Sequence, residues 1–201
     1  MKVAIFASGN GTNFEVLAKK FLKHEIPGQL ALLFCDHPQA NVIERAKRLG
    51  VTWASLTVKE CGGKAEYERR VYQLLIEKKI DFIILAGYLR VIGGPILANY
   101  EGRIVNLHPA YLPEYPGLHS IERAFADQRK QTGVTVHYID AGLDSGPIIA
   151  QKHVPILPTD TAKSLEQRVH DCEHQLYPAV VKQILTNLLE KEPTKNEKSD
   201  S

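Results

Sequence analysis

The sequence has few of the features that mark secreted, metal-clustered or membrane-inserted chains. Cysteine occurs only three times in 201 residues, at positions 35, 61 and 172. An odd, scattered set without a CxxC pair argues against a disulfide framework and against a zinc site. The apolar stretch at the N-terminus ends by Ser8, which is too short for a signal-peptide core or a transmembrane helix. These absences predict a cytoplasmic chain with no membrane partner.

The chain also lacks an excess of charge of either sign. Lys and Arg number 25 against 23 Asp and Glu, a formal net charge of +2. This is too small to favour a nucleic-acid partner, so an anionic ligand must be met by local chemistry. Hydrophobic residues make up 44% and charged residues 24%, as in ordinary globular proteins. The length suits one domain with a sizeable core.

Apolar runs typical of strands alternate with segments of helical spacing along the chain. The strand-like runs are 3–8, 30–35, 81–87, 103–108, 133–139 and 147–156, and the helical segments are 13–24, 40–50, 64–79 and 161–189.

This alternation predicts an α/β fold: a single domain with a mostly parallel twisted sheet and helices on both faces. The last two strand-like runs predict an antiparallel hairpin at one edge. A long C-terminal helical segment follows, which Pro178 should kink or divide. We expect one domain over 1–190 and a disordered polar tail over 191–201.

The first strand-like run passes directly into "SGNGTN", residues 8–13, and then into a helix. Its glycines permit a tight turn, and the free N–H groups of the helix start favour a phosphate. A Walker A loop is excluded because Asn13 stands where Lys is needed. A dinucleotide fingerprint stays open, since Asp36 is placed like its ribose-binding acid although Phe14 replaces the third glycine. A plain Gly-rich turn is the other alternative.

The run "RIVNLHP" ends with two polar side chains on one face of a strand. Asn106 and His108 are two residues apart, and side chains alternate across a strand. An amide donates to a developing oxyanion, and an imidazole exchanges protons near neutrality. Asp140 and Asp144 lie in a later turn, where either carboxylate would raise the pKa of a nearby His. Spacing does not decide between the two aspartates, and a buried structural His remains the alternative.

A metal site is not expected. His170 and His174 are one helical turn apart in "HDCEH", a spacing that metal sites use, but no third ligand is evident. A helix that faces the substrate cleft is the main interpretation of this segment. No Ser or Cys stands in a nucleophile-elbow context, so the sequence gives no support to covalent catalysis.

"SGNGTN", "NLHPAYLPEYPGLH" and "GLDSGPI" together resemble the glycinamide ribonucleotide formyltransferase family, in order and with matching spacing over residues 1–190. The resemblance implies a Rossmann-like formyltransferase fold. It implies transfer of a formyl group from 10-formyltetrahydrofolate, a co-substrate, to the amine of phosphoribosylglycinamide in purine synthesis. It further implies a cytoplasmic enzyme with small-molecule substrates, acting as a monomer or weak homodimer.

The same resemblance implies roles for individual residues. Asn106 and His108 are the expected oxyanion donor and general acid, with Asp144 raising the pKa of the imidazole and relaying a proton through water. The expected ribonucleotide-binding residues are Gly11, Thr12, Asn13 and Glu173. The expected folate-binding residues are Lys64, Leu89, Arg90, Val91, Ile92, Asn106, Asp140, Ala141, Gly142, Leu143 and Asp144. The family often has Arg where this chain has Lys64, and Lys cannot form a bidentate fork with a carboxylate.

Three alternatives accompany this interpretation. A formyltetrahydrofolate hydrolase uses water in place of the amine, but such enzymes usually carry an additional N-terminal domain. The transformylase that acts on initiator methionyl-tRNA carries an additional C-terminal domain. A nucleotide-binding module without catalysis is the third. From the chain bounds we expect neither additional domain.

Overall fold

The computed structural model describes residues 1–191, and a seven-stranded sheet is the centre of this part of the chain. The strands are β1 Lys2–Ala7, β2 Gln29–Cys35, β3 Trp53–Ser55, β4 Phe82–Leu85, β5 Ile104–His108, β6 Gln131–Tyr138 and β7 Ile148–Pro155. The helices are α1 Thr12–Leu22, α2 Asn41–Leu49, α3 Lys64–Glu77, α4 Gly94–Asn99, α5 Ser120–Ala126 and α6 Ala162–Lys191.

The strand order is β3-β2-β1-β4-β5-β6-β7. The first five strands in this order are parallel, whereas β6 pairs antiparallel with both β5 and β7. The predicted α/β fold with a mostly parallel sheet is therefore confirmed. The antiparallel part is larger than a hairpin, because β5 contributes to it as well.

Two apolar cores lie on opposite faces of the sheet, as the alternation of strand side chains requires. In β1, Val3 and Ile5 pack into the core that α1, α2 and α6 cover, whereas Ala4 and Phe6 pack against α3 and α4. All four side chains are fully buried. Strands buried on both sides explain why the sequence shows continuous apolar runs instead of strict alternation.

The sequence did not predict β3, α4 and α5. These elements have three, six and seven residues, which is too short for a clear periodic pattern. The predicted tail lies outside the described residues except for Lys191, which is the last residue of α6. Within residues 1–191, none of the helices combines the length and the apolar character needed to cross a bilayer.

The C-terminal helix α6 is continuous through Pro178, so the expected division does not occur. Thr161 caps the start of α6, since its Oγ1 accepts from the Ser164 N–H at 3.1 Å. Tyr177 is fully buried, and its hydroxyl donates to the carbonyls of Leu85 (2.8 Å) and Val105 (3.2 Å). This contact fixes α6 against β4 and β5.

The turn between β1 and α1 depends on glycine at one position. Gly11 has φ +77°, and a Cβ there would overlap the Val42 side chain. We expect Gly11→Ala to lower the free energy of unfolding by about 1–3 kcal/mol, because strain and overlap add. Gly9→Ala is the matched control, since nothing lies within 4 Å of a Cβ at that position. Thermal denaturation followed by circular dichroism compares the two, and equal stability of both variants would contradict the packing argument.

Candidate active site

A cavity with a volume of about 660 Å³ lies at the carboxyl ends of the central strands. Open α/β sheets bind ligands at this end. The size is typical of small-molecule sites. Its walls come from β4, β5, the segments that follow them, the turn between β6 and β7, and α6. The predicted site residues in its lining are Asn13, Leu89, Arg90, Val91, Ile92, Asn106, His108, Asp140, Gly142, Leu143, Asp144 and Glu173.

Asn106 and His108 lie side by side at the carboxyl end of β5, as the sequence predicted. His108 is 5% exposed, and its Nε2 donates to the Tyr115 carbonyl at 2.8 Å. Its Nδ1 lies 3.4 Å from Asp144 Oδ2. Both ring nitrogens therefore face acceptors, and only the protonated imidazole donates to both.

Asp144, and not Asp140, is the carboxylate that reaches His108. Oδ2 of Asp144 accepts from the Gly117 N–H at 2.8 Å, and Oδ1 lies 3.4 Å from Asn106 Nδ2. Asp140 instead accepts from the Gly142 N–H and the Ser145 hydroxyl, both at 2.9 Å, and so shapes the turn itself. The structure thus separates two aspartates that spacing alone left equivalent, and the one beside His108 is the one that the resemblance implied.

Burial and charge act in opposite directions on the pKa of His108. Burial is the larger effect and lowers the pKa below its usual value, while the negative charge of Asp144 raises it. The expected influence of Asp144 on the pKa is present, but burial, which the sequence analysis did not weigh, outweighs it. For Asp144, burial raises the pKa, but the contacts with His137, the Gly117 N–H and His108 outweigh burial and hold it below the usual range.

His137 belongs to this group of side chains and was missed in the sequence. The antiparallel register of β5 and β6 places it opposite Asn106. His137 Nδ1 donates to the Tyr138 carbonyl at 2.9 Å, so in the neutral ring Nε2 carries the lone pair. Asn106 Nδ2 lies 3.3 Å from this nitrogen and donates to it, which orients the amide. Finding His137 required the β5–β6 register, which single-sequence patterns do not reveal.

The loop of residues 8–13 is held from α2. The Arg45 guanidinium donates to the Asn10 carbonyl through Nε (2.7 Å) and to Asn10 Oδ1 through Nη2 (3.0 Å), and it also bonds Glu15. Asn41 Nδ2 donates to the same Oδ1 at 2.7 Å. These bonds fix the loop, although its Gly11 and Thr12 are not in the cavity lining.

Asn13 and Glu173 meet in the lining of the cavity. Asn13 Nδ2 donates to Glu173 Oε2 at 2.8 Å, and His170 Nδ1 lies 2.8 Å from the same oxygen. Glu173 is 3% exposed. Its carboxylate raises the pKa of His170 above the usual value. The "HDCEH" segment therefore faces the cleft, as the main interpretation stated, and His170 is a lining residue that was not predicted.

Apolar side chains line the outer part of the cavity. Leu89, Val91, Leu118 and Leu143 are each more than half exposed, which is unusual for Leu and Val unless a ligand covers them. Two predicted folate-binding residues, Lys64 and Ala141, lie outside the lining. Lys64 is on the exposed surface of α3, and its Nζ lies 3.7 Å from Glu68 Oε1.

Within residues 1–191, no group of three or more His, Cys, Asp and Glu side chains is arranged to hold a metal ion. His170 and His174 have nearly parallel rings with centroids 6.4 Å apart. The three cysteines are buried, and none of them lines the cavity.

Comparisons with known proteins agree with this geometry. Residues 1–181 match the model of a family described as formyl transferase. A phosphoribosylglycinamide formyltransferase from Bacillus subtilis (strain 168) is 44% identical over 184 residues, which are 92% of this chain and 94% of that protein.

Two solved structures titled phosphoribosylglycinamide formyltransferase are similar over almost their whole length. The one from Bacillus halodurans has a TM-score of 0.90 and 47% identity, covering 94% of this chain and 97% of that one. The one from Streptococcus pneumoniae TIGR4 has a TM-score of 0.86 and 48% identity, covering 91% and 98%. The chain therefore belongs to the formyl transferase family and, within it, groups with the phosphoribosylglycinamide formyltransferases.

Proposed function

We propose that this chain transfers a formyl group from 10-formyltetrahydrofolate to the amine of phosphoribosylglycinamide, a step of purine synthesis, by direct attack. The observation that carries the proposal is the group formed by Asn106, His108 and Asp144 in the main cavity. An amine that attacks a formyl carbon forms a tetrahedral intermediate with an oxyanion. That intermediate needs a hydrogen-bond donor and a proton source, and this group contains both.

Asn106 is the proposed oxyanion donor. Its Nδ2 makes only long contacts, 3.3 Å to His137 and 3.4 Å to Asp144, against about 2.9 Å for a strong N–H···O bond. A developing oxyanion is a better acceptor than either partner and takes over this donor. His137 keeps the nitrogen end of the amide on the correct side, so that the donor need not reorient during the reaction.

His108 is the proposed general acid. Overall, the amine loses a proton and the folate nitrogen that leaves gains one. His108 gives its proton to the intermediate, and Asp144 stabilises the imidazolium and accepts the proton of the amine through water. Because Nε2 donates to the Tyr115 carbonyl and Nδ1 faces Asp144, the substrate must replace one of these two acceptors for transfer.

The two substrates are proposed to enter from different sides. The phosphate of the ribonucleotide binds the N–H groups of Gly11, Thr12 and Asn13 at the start of α1, and Glu173 meets the glycinamide. The folate ring binds the backbone of residues 89–92 and the turn 140–144, and the exposed leucines cover it. This arrangement places the formyl carbon beside His108, between the two binding regions.

No covalent intermediate and no metal ion are part of the proposal. The three cysteines do not line the cavity, and the described residues hold no group of three or more His, Cys, Asp and Glu side chains arranged to bind a metal ion. His108 and Asp144 suffice for the proton steps. A hydrolase with the same residues is the competing function, in which water takes the place of the amine.

The decisive experiment follows the release of deformylated folate by absorbance, with and without phosphoribosylglycinamide. We expect turnover only when the ribonucleotide is present, because its amine is the nucleophile. Turnover without it would indicate a hydrolase. No turnover under either condition, with ligand binding retained, would indicate a binding module without catalysis.

His108→Ala should lower kcat on the order of 10²-fold or more, because a general acid contributes that much. KM for both substrates should change little. Steady-state kinetics measure both constants. His24→Asn, at an exposed position beyond the end of α1, is the control and should keep the wild-type rate. A near-normal kcat in His108→Ala would remove this residue from the chemistry.

Asp144→Asn should shift the part of the pH–rate profile that reports His108. The Asp144 charge raises the pKa of His108, so its removal lowers that pKa. A general acid must be protonated, and activity should therefore fall at a lower pH than in the wild type. The profile of kcat/KM between pH 5 and 10 measures this shift.

Asp140→Asn is the matched control for this profile, because Asp140 bonds only within its own turn. We expect the activity of Asp140→Asn to fall at the same pH as the activity of the wild type, whatever the effect of this substitution on folate affinity. A profile that moves with Asp140→Asn and not with Asp144→Asn would assign the tuning carboxylate to Asp140.

A further inference from the structure

Asp36 is a buried acid for which the proposed reaction has no use. It follows β2 and is 1% exposed. In the sequence it is placed like the ribose-binding acid of a dinucleotide site. The structure excludes contact of Asp36 with a ribose, because its Oδ2 accepts from Arg90 Nε at 2.6 Å and its Oδ1 lies 3.0 Å from His37 Nδ1.

Arg90, in contrast, lies at the cavity. It belongs to the segment between β4 and α4 and lines the cavity with a side chain that is 39% exposed. Among residues 1–191 its guanidinium makes a single hydrogen bond, through Nε to Asp36. Nη1 and Nη2 are therefore left to bind a ligand.

Two further contacts restrict the guanidinium. Its carbon Cζ lies 5.7 Å from the centre of the Tyr67 ring, within the range of a cation–π interaction. The Tyr67 hydroxyl is 2.6 Å from that of Tyr88, so the ring itself is held. The segment is also tied to the end of β1, since Ser8 Oγ accepts from the Leu89 N–H at 2.9 Å.

We propose that Asp36 is a positioning residue that holds Arg90 ready to bind a carboxylate of the formyl donor. The inference rests on the proposed function, since the folate donor carries a glutamate with two carboxylates. A free Arg side chain loses conformational freedom when it binds a ligand. Asp36 fixes Nε and the guanidinium plane before the ligand arrives, and the two terminal nitrogens then offer a bidentate fork.

Lys64 does not take this role in the structure. It is 66% exposed, lies outside the cavity lining and faces Glu68. An ammonium group also lacks the fork geometry. Among the residues expected to bind folate, Arg90 is therefore the cation that the protein itself holds in place.

The test uses Asp36→Asn, which keeps an acceptor for Nε and removes the charge. We expect the calorimetric Kd for 10-formylfolate to rise about tenfold, the loss expected for one charge-assisted hydrogen bond. The Kd for 10-formylpteroate, which lacks the glutamate, should not change. KM for the folate donor should rise with kcat retained, since the chemistry lies elsewhere.

Two further variants separate positioning from a purely structural role. Arg90→Ala should raise the Kd for 10-formylfolate. Asp36→Asn should cause no further rise in this Kd when it is combined with Arg90→Ala, because Asp36 acts through Arg90. Asp160→Asn is the matched control: its side chain is 3% exposed and pairs with Arg168 at 2.6 Å outside the cavity lining. Asp160→Asn should change the stability of the protein and leave the Kd for both ligands unchanged.

The proposal is wrong if Asp36→Asn weakens both ligands equally, or if its effect persists in full in Arg90→Ala. These binding measurements do not depend on turnover. A wild-type protein that binds 10-formylfolate but does not release deformylated folate in the presence of the ribonucleotide would contradict the proposed function and leave the role of Asp36 separately testable.

Discussion

The carboxylate of Asp144 joins the parts of the molecule that form the candidate active site. One oxygen accepts from the Gly117 N–H at 2.8 Å and lies near His108, while the other faces Asn106 and His137. A single side chain thus connects β5, β6, the 113–119 loop and the β6–β7 turn. Its negative charge also favours the charged form of the His108 imidazole, whereas burial favours the neutral form. The two effects act against each other on the same ring, and burial is the larger.

The change from parallel to antiparallel pairing at β5 makes the group possible. On its parallel side, β5 is fixed by β4 and by the Tyr177 hydroxyl, which bonds the carbonyls of Leu85 and Val105. On its antiparallel side, β6 brings His137 opposite Asn106. A parallel neighbour would need a crossover connection and would direct its own carboxyl end toward the cavity. The antiparallel β6 instead leads into the turn that carries Asp144.

Much of the fold and of the candidate site could be predicted from the sequence, because the patterns that indicate them lie within single segments of the chain. Asn106 and His108 share a face by strand alternation, and the continuous apolar runs indicated a sheet buried on both sides. What local patterns could not supply depends on long-range geometry: the register that adds His137, the choice of Asp144 over Asp140, and the burial that lowers the pKa of His108. The tail over 191–201 was predicted to be disordered, and all of it except Lys191 lies outside the described residues.

Under the proposed function, a nearly neutral chain binds two anionic ligands through a few fixed groups, and the structure indicates how such groups are held. Asn10 is bonded by Arg45 and Asn41 of α2, which sets the loop at the start of α1. Arg90 is bonded by the buried Asp36. In both cases the partner that orients the group lies outside the cavity lining. The group is therefore ordered when the protein folds, and little further conformational entropy is lost when the ligand binds. Local order therefore takes the place of a large net positive charge, which the composition does not supply.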